Sequence, residues 1–286
     1  MKLISLNIEG RRHLEERVIP FLQKERADVV CLQEVFFNDV PLLEESLQAK
    51  GYFALAVNVD VGLPSFNQPH GMLGQVIVTR HPVRSVQHQY YAPSVAVDDL
   101  NEYLAPRLKD DDFSPNSVEI PFEIPRLVYP NASWRVLTSL EVDVDGEWYR
   151  VATTHFTWSE NAQFTPKQAE DFRQLWNRVE DVGEHVLCGD FNSPRGGNLK
   201  ADKATGTDLS DDVVLNVYDM LADRMSDLIP AEITTTLDGS LHRAGQLDFV
   251  VDGLFATPTY TAADVRIVDG VSDHKAIVAE IEKAIL

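Results

Sequence analysis

The sequence predicts a mixed α/β chain in which two mixed β-sheets are covered by helices. Two observations carry this: helical and strand patterns intermingle along all 286 residues, and at least two antiparallel hairpins are expected. The hairpins rule out a purely parallel, doubly wound sheet. A hydrophobic content of 44% is enough for a sizeable core. The length fits one large domain, and residues 1–286 are read as a single one.

"KLISLN" (2–7) alternates and reads as a strand. Residues 13–26 place Leu14, Val18, Phe21 and Leu22 at helical spacing, with Pro20 marking a kink. "ADVVCLQEV" is a strand, 41–50 a helix stopped by Gly51, and "YFALAV" a strand. "MLGQVIVTR" and "VRSVQHQYY" are expected to pair across a turn at His81 and Pro82. The clearest hairpin is "WRVLTSLEVDVDGEWYRVATTHF", folded at Asp145-Gly146. A helix over 166–182 opens on a capping box of Thr165, Pro166 and Gln168. "EHVLCGDFN" is a strand, 212–223 a helix, and "QLDFVVDGLFAT", "YTAADVRIV" and "HKAIVAEI" are the last strands. Residues 91–133, with eight acids against three bases, read as a long insertion that is either a lid or a peripheral acidic elaboration.

No apolar run approaches 18 residues, so no membrane span is expected. "MKLISLNIEG" turns polar too early for a signal peptide, and a cytoplasmic location is expected. Cys31 and Cys188 each end an apolar run and read as small buried hydrophobes rather than a disulfide. The net charge of −20 argues against a general grip on nucleic acid, which needs a basic face.

The functional signal lies where the strands stop. "LCGDFN" ends a buried strand on Asp190 and Asn192, expected on one face. "LISLNIEG" ends on Asn7 and Glu9, "VVCLQE" on Glu34 and "VATTHF" on His155. "QLDFVV" carries Asp248, and "GVSDHKAIV" puts Asp273 and His274 at the mouth of the last strand. Any one of these has a capping or turn explanation; six together imply a built site. Oxygen ligands without thiolates favour a hard cation, Mg²⁺ or Mn²⁺. With no serine or cysteine nucleophile context, water is the expected attacking group.

"LNIEG", "LQE", "TTHF", "GDFN", "LDFVV" and "SDH", in this order over residues 3 to 281, resemble the endonuclease/exonuclease/phosphatase superfamily. The resemblance implies a four-layer sandwich and a divalent-metal-dependent phosphoesterase. It implies Glu34 as principal metal ligand, with Asn7, Glu9 and Asp273 as its neighbours. Asp190 would orient or deprotonate the attacking water, and Asn192 would hold phosphate or water. Asp248 and His274 would form a carboxylate–imidazole pair, and His155 would donate to a phosphate oxygen or the leaving group. His155 sets the chain apart from the branch that cuts DNA at abasic sites, which carries a tyrosine-containing segment there. "SDHKAI" lacks the proline many members have two residues after the histidine.

His242 and Arg243 read either as substrate contacts or as a solvated loop, and His70 has the same two readings. Trp158 reads either as a stacking platform or as core. His13, His81, His88 and His185 read as surface or helix-end residues. The expected function is hydrolysis of a small or lipid-like phosphoester by a monomer. The rivals are a nuclease or DNA-end-processing phosphodiesterase, favoured if Arg11, Arg12, Arg195, Lys200 and Arg243 converge on the cleft mouth, and a catalytically silent binding protein.

Overall fold

The computed structural model describes residues 1–58, 72–93, 134–162, 164–197 and 216–284. Twelve strands among them form two six-stranded sheets. One sheet runs β11 (Tyr260–Val268), β12 (Ala276–Lys283), β1 (Lys2–Asn7), β2 (Val29–Phe36), β4 (Met72–Thr79), β3 (Lys50–Asn58). The other runs β5 (Val83–Pro93), β6 (Trp134–Val144), β7 (Glu147–His155), β8 (Val186–Asp190), β10 (Asp252–Ala256), β9 (Ser226–Asp227). Both mix parallel and antiparallel neighbours.

The central strands are apolar on both faces because both are covered. Ile4, Leu6, Val30 and Leu32 pack with Leu14, Val18, Leu22 and Leu43 of the first helical layer. That layer holds α1 (Ile19–Glu25) and α2 (Val40–Leu47). Leu3, Val29, Cys31 and Ile77 face the other way, into one cluster with Leu137, Val151 and Cys188 of the second sheet. The same cluster continues to Phe172, Leu175 and Val179 of α3 (Pro166–Val182) and Tyr218 and Leu221 of α4 (Val217–Ala222). Helix, sheet, sheet, helix is the expected four-layer sandwich. Both cysteines are free and buried, as expected.

Local chemistry explains most element ends. Asp145 and Gly146 both take positive φ, 55° and 86°, the two-residue turn whose twist matches its strands. The Thr165 hydroxyl accepts from the Gln168 amide N at 3.1 Å, capping α3. Leu14–Val18 forms a π-turn ahead of α1, in which Arg17 N and Val18 N both donate to the His13 carbonyl. Pro20, which has no N–H, follows inside α1, so the ladder is disturbed where the sequence places the kink.

Two expectations are corrected. β4 and β5 do not pair: they belong to different sheets, and the corner at Arg80–Pro82 carries the chain between them. Arg80 donates to the carbonyls of Ala27 and Arg26 and to Asp28, and His81 Nε2 lies 2.9 Å from Asp28, so the corner is tied to the start of β2. "QLDFVV" is not strand either, because β10 begins at Asp252. Of the 91–133 insertion, Tyr91 to Pro93 close β5 and the rest lies outside the described residues, as do His70 and Lys200.

Candidate active site

The second sheet sets three polar groups side by side by register alone. β7 and β8 are parallel with His155 opposite Asp190, and β10 is antiparallel to β8 with Asp252 opposite Asp190. Three neighbouring strands thus present an imidazole and two carboxylates in one row. Gly189 makes the close approach feasible: its φ is +146°, and a Cβ there would lie 1.9 Å from the Thr154 carbonyl oxygen.

The first sheet faces this row with Asn7 and Glu34, and the segment leading into β12 adds Asp273 and His274. The inward face of β1 carries Leu3, Ser5 and Asn7, and the Asn7 amide crosses to Asp190 Oδ2 at 3.0 Å while touching Glu34 Oε1 at 3.2 Å. Glu34 occupies a β-bulge: the β2–β4 register shifts between Gln33 and Val35, and Glu34 takes φ +57°. A left-handed non-glycine residue costs of order 1–3 kcal/mol, and here it re-aims a carboxylate to the strand end.

His274 Nδ1 lies 2.9 and 3.0 Å from the two Asp252 oxygens, and its Nε2 faces Asp190 Oδ2 at 3.9 Å. Burial alone would lower its pKa, but the negative charges of Asp252 and Asp190 outweigh it and hold the ring charged, well above its ordinary range. His155 Nε2 lies 3.5 Å from Asp190 and 3.9 Å from Glu34. Burial pushes its pKa down to about 4, with Arg135 and His274 adding to the shift against Asp190. Arg135 also donates to the His155 carbonyl at 3.1 Å. One imidazole is kept charged and the other neutral, the separation that assigns different work to two like groups. Glu34 is raised to about 7, chiefly by burial, with the Asn7 amide opposing and Asp273 and Asp190 reinforcing.

Several expected positions are rearranged. The carboxylate on His274 is Asp252, not Asp248. Asp248 is exposed and, among the described residues, accepts only from the Gln246 amide at 2.8 Å, because its segment lies ahead of the strand that would have carried it inward. Glu9 is buried, but its oxygens are taken by Arg12 at 2.8 and 3.1 Å and Arg243 at 2.7 Å, so it anchors guanidiniums rather than standing among open ligands. Asn192 does not continue the strand. At φ +50° it donates its backbone N to Asp190 Oδ1 and its amide to the Phe156 carbonyl, bracing Asp190. Trp158 is 64% exposed and therefore not core. His242 closes its own loop, its Nδ1 accepting from Ala244 N. His185 is buried rather than on the surface, and His13 is buried at the start of the Leu14–Val18 turn, a helix end as expected. Of the basic residues considered for a rim, Arg12 and Arg243 meet on Glu9 and Arg11 pairs with Asp39. Arg195 turns inward to the carbonyls of 229, 230 and 233.

Asp252 is the residue that sequence reasoning passed over. Its signal was there: "VVDG" ends an apolar run on an acid, as "LCGD" does at Asp190.

The donor set fits a hard cation. Among the described residues, Glu34, Asp190, Asp252 and Asp273 form no Lys or Arg ion pair within 4.0 Å; Glu34, Asp190 and Asp252 face imidazoles, of which His274 is the one held charged. Asp190, Asp252 and His274 bring ligand atoms within 4.8 Å of one another, close enough to hold a metal ion. Four clustered carboxylates against one charged imidazole leave a deficit that a divalent ion fills.

A sandwich whose two sheets pool carboxylates and imidazoles at their strand ends defines a metal-assisted hydrolytic centre. The sequence profile of the Endonuclease/Exonuclease/phosphatase family matches residues 4–274, and the chain belongs to that family. It is a metal-dependent hydrolase acting on phosphoric ester bonds. Solved structures share the fold. An endonuclease/exonuclease/phosphatase from Beutenbergia cavernae is 19% identical, with 99% of this chain and 72% of that chain covered and a TM-score of 0.65. The human Nocturnin catalytic domain with bound sulfate is 13% identical, covering 99% and 93%, at 0.62. D. rerio TDP2 complexed with single-strand DNA product is 13% identical, covering 99% and 98%, at 0.56. No curated protein matches the sequence. Among the described residues, no helix is long and apolar enough to cross a membrane.

Proposed function

We propose that this enzyme hydrolyses the P–O bond of a small or lipid-like phosphoester, with water as nucleophile. The observation that carries this is the Asp190 constellation: one buried carboxylate within reach of Asn7, His155 and His274, and opposite Asp252 in register. Asp190 orients the attacking water and accepts its proton. Asn7 and Asn192 hold that carboxylate in one rotamer. The His274 ring, fixed by Asp252, directs Nε2–H toward the developing charge on the phosphoryl oxygens, and His155 donates its N–H to a phosphate oxygen or the leaving group.

Glu34, with Asp190 and Asp273 beside it, would hold Mg²⁺ or Mn²⁺; Asp252 is already bonded to the His274 ring through both oxygens. Such an ion supplies charge neutralisation at the phosphate. The compact Asp190–Asp252–His274 cluster is the competing position for it.

The net charge of −20 supports a small substrate over a long polyanion. The likeness to TDP2 bound to single-strand DNA product keeps a nuclease as the rival. A screen with Mg²⁺ and Mn²⁺ over phosphomonoesters, small and lipid phosphodiesters, DNA and RNA tests the reading. Turnover confined to nucleic acid would replace it, and no turnover of any phosphoester would remove it.

A further inference from the structure

Arg12 and Arg243 come from different parts of the chain and end on the same carboxylate. Arg12 follows β1, and its Nη1 donates to both Glu9 oxygens. Arg243 lies in the segment after the Leu237–His274 bridge, and its Nε forms an ion pair with Glu9 Oε1 at 2.7 Å. Glu9 is only 8% exposed at its side chain, whereas the arginines are 34% and 43% exposed. One guanidinium neutralises one carboxylate; the second leaves a positive surplus at this spot in an otherwise acidic protein. The neighbouring His13 has its pKa lowered by burial and by Arg12.

The donors are left over as well. Among the described residues, no acceptor meets the Nε and Nη2 of Arg12 or either Nη of Arg243. A guanidinium has five N–H donors, and each of these turns a single nitrogen toward Glu9. The pair also stands close to the chemistry. Glu9 N donates to Asn7 Oδ1 at 3.1 Å, and Asn7 Nδ2 lies 3.0 Å from Asp190. From the other side, Asp238 N donates to the Asp273 carbonyl, and the Asp238 carbonyl accepts from His242 N, one residue before Arg243. The arginines are therefore tethered to the two segments that deliver Asn7 and Asp273–His274.

We propose that Arg12 and Arg243, clamped side by side by Glu9, form a second anion subsite next to the Asp190 centre, and that the preferred substrate is a small organic phosphoester carrying a second phosphate. Glu9 fixes the inner edges of both guanidiniums, so their outer edges are preorganised for a tetrahedral dianion. This rests on the phosphoesterase reading above and narrows its substrate class.

The test separates the two. Binding of propane-1,3-bisphosphonate and of propylphosphonate, neither of which can be hydrolysed at the P–C bond, is measured by calorimetry on the full chain at fixed Mg²⁺. The bisphosphonate is expected to bind about tenfold tighter or more, the scale of one charge-assisted contact. In Arg243→Gln and Arg12→Gln that ratio falls to about threefold or less, and in Arg243→Lys it is partly restored. The lysine variant, with circular dichroism on all three, separates loss of the subsite from loss of folding. No preference in the wild type, or a preference untouched by both glutamine variants, overturns the subsite. Because no turnover is needed, its failure is distinct from a failure to hydrolyse phosphoesters.

Discussion

Asp252 Oδ2 lies 2.9 Å from His274 Nδ1, although Asp252 opens β10 of the second sheet and His274 lies just ahead of β12 of the first. The contact fixes the ring from behind and leaves Nε2 as the edge that meets Asp190. Asp248, four residues earlier, has no part in it.

Asp252→Asn should therefore lower kcat by about 10²-fold, whereas Asp248→Asn should change it by no more than about threefold. Steady-state kinetics on whichever phosphoester the metal screen identifies decides the matter. Equal losses, or the reverse order, would return the pairing role to Asp248.

Metal binding can be apportioned without turnover. Glu34→Gln should weaken Mg²⁺ or Mn²⁺ binding by about tenfold or more in calorimetry, and His274→Gln should weaken it much less. The opposite ranking places the ion in the Asp190–Asp252–His274 cluster. Chelator should abolish activity, and either cation should restore it; full turnover after metal removal would exclude the metal altogether.

His185 gives a pH signature away from the active site. It is 1% exposed, its Nδ1 lies 2.6 Å from the Gly183 carbonyl, and its Nε2 meets no hydrogen-bond partner among the described residues. Burial lowers its pKa from 6.5 to about 4. The folded pKa lies below the unfolded one, so as pH falls the unfolded chain takes the proton first. Stability is fully present above pH 6.5 and is lost progressively toward pH 4, by up to about 3 kcal/mol. Urea unfolding across that window should show a shallower loss in His185→Asn, which keeps a donor for Gly183; an unchanged slope would clear His185 of the effect.

Duplex DNA should bind weakly. Of the five basic residues considered for the rim, Arg12 and Arg243 converge, while Arg11 and Arg195 are engaged elsewhere. A fluorescent oligonucleotide titrated from low to physiological salt should show only a shallow slope. Sub-micromolar affinity with a slope equivalent to several phosphate contacts would favour the nuclease reading.

Much of this was legible in the residues. Intermingled helix and strand patterns with antiparallel hairpins announced two covered sheets, and polar strand ends announced where the chemistry collects. What escaped depended on partners far away in sequence. "QLDFVV" alternates like a strand, yet its backbone bonds go to the 236 region: Thr236 N donates to the Phe249 carbonyl, and Val251 N and Asp252 N donate to the Thr236 hydroxyl. That delays β10 until Asp252 and moves the useful carboxylate by four positions. The bulge at Glu34 is set by β4, where Gly74 stands opposite Val35 and a Cβ would strike the Ala54 carbonyl oxygen at 2.0 Å. The break between β4 and β5 is likewise a choice of sheet, which alternation within either strand does not encode.

Asn7 and Glu34 stand on one sheet, with His274 just ahead of its strand β12, and His155, Asp190 and Asp252 stand on the other. Between them lies a polar seam: Gln33 donates to the Thr153 hydroxyl at 3.0 Å, and Gln75 to the Thr138 hydroxyl at 2.9 Å and the Thr153 carbonyl at 2.9 Å. Each half brings an incomplete set of reagents, and these glutamines act like the alignment pins of a mould. A slip of one sheet over the other by a single residue would leave most apolar burial in place while parting Asn7 from Asp190. Turnover is thus a gauge of sheet alignment, more exacting than any measure of compactness.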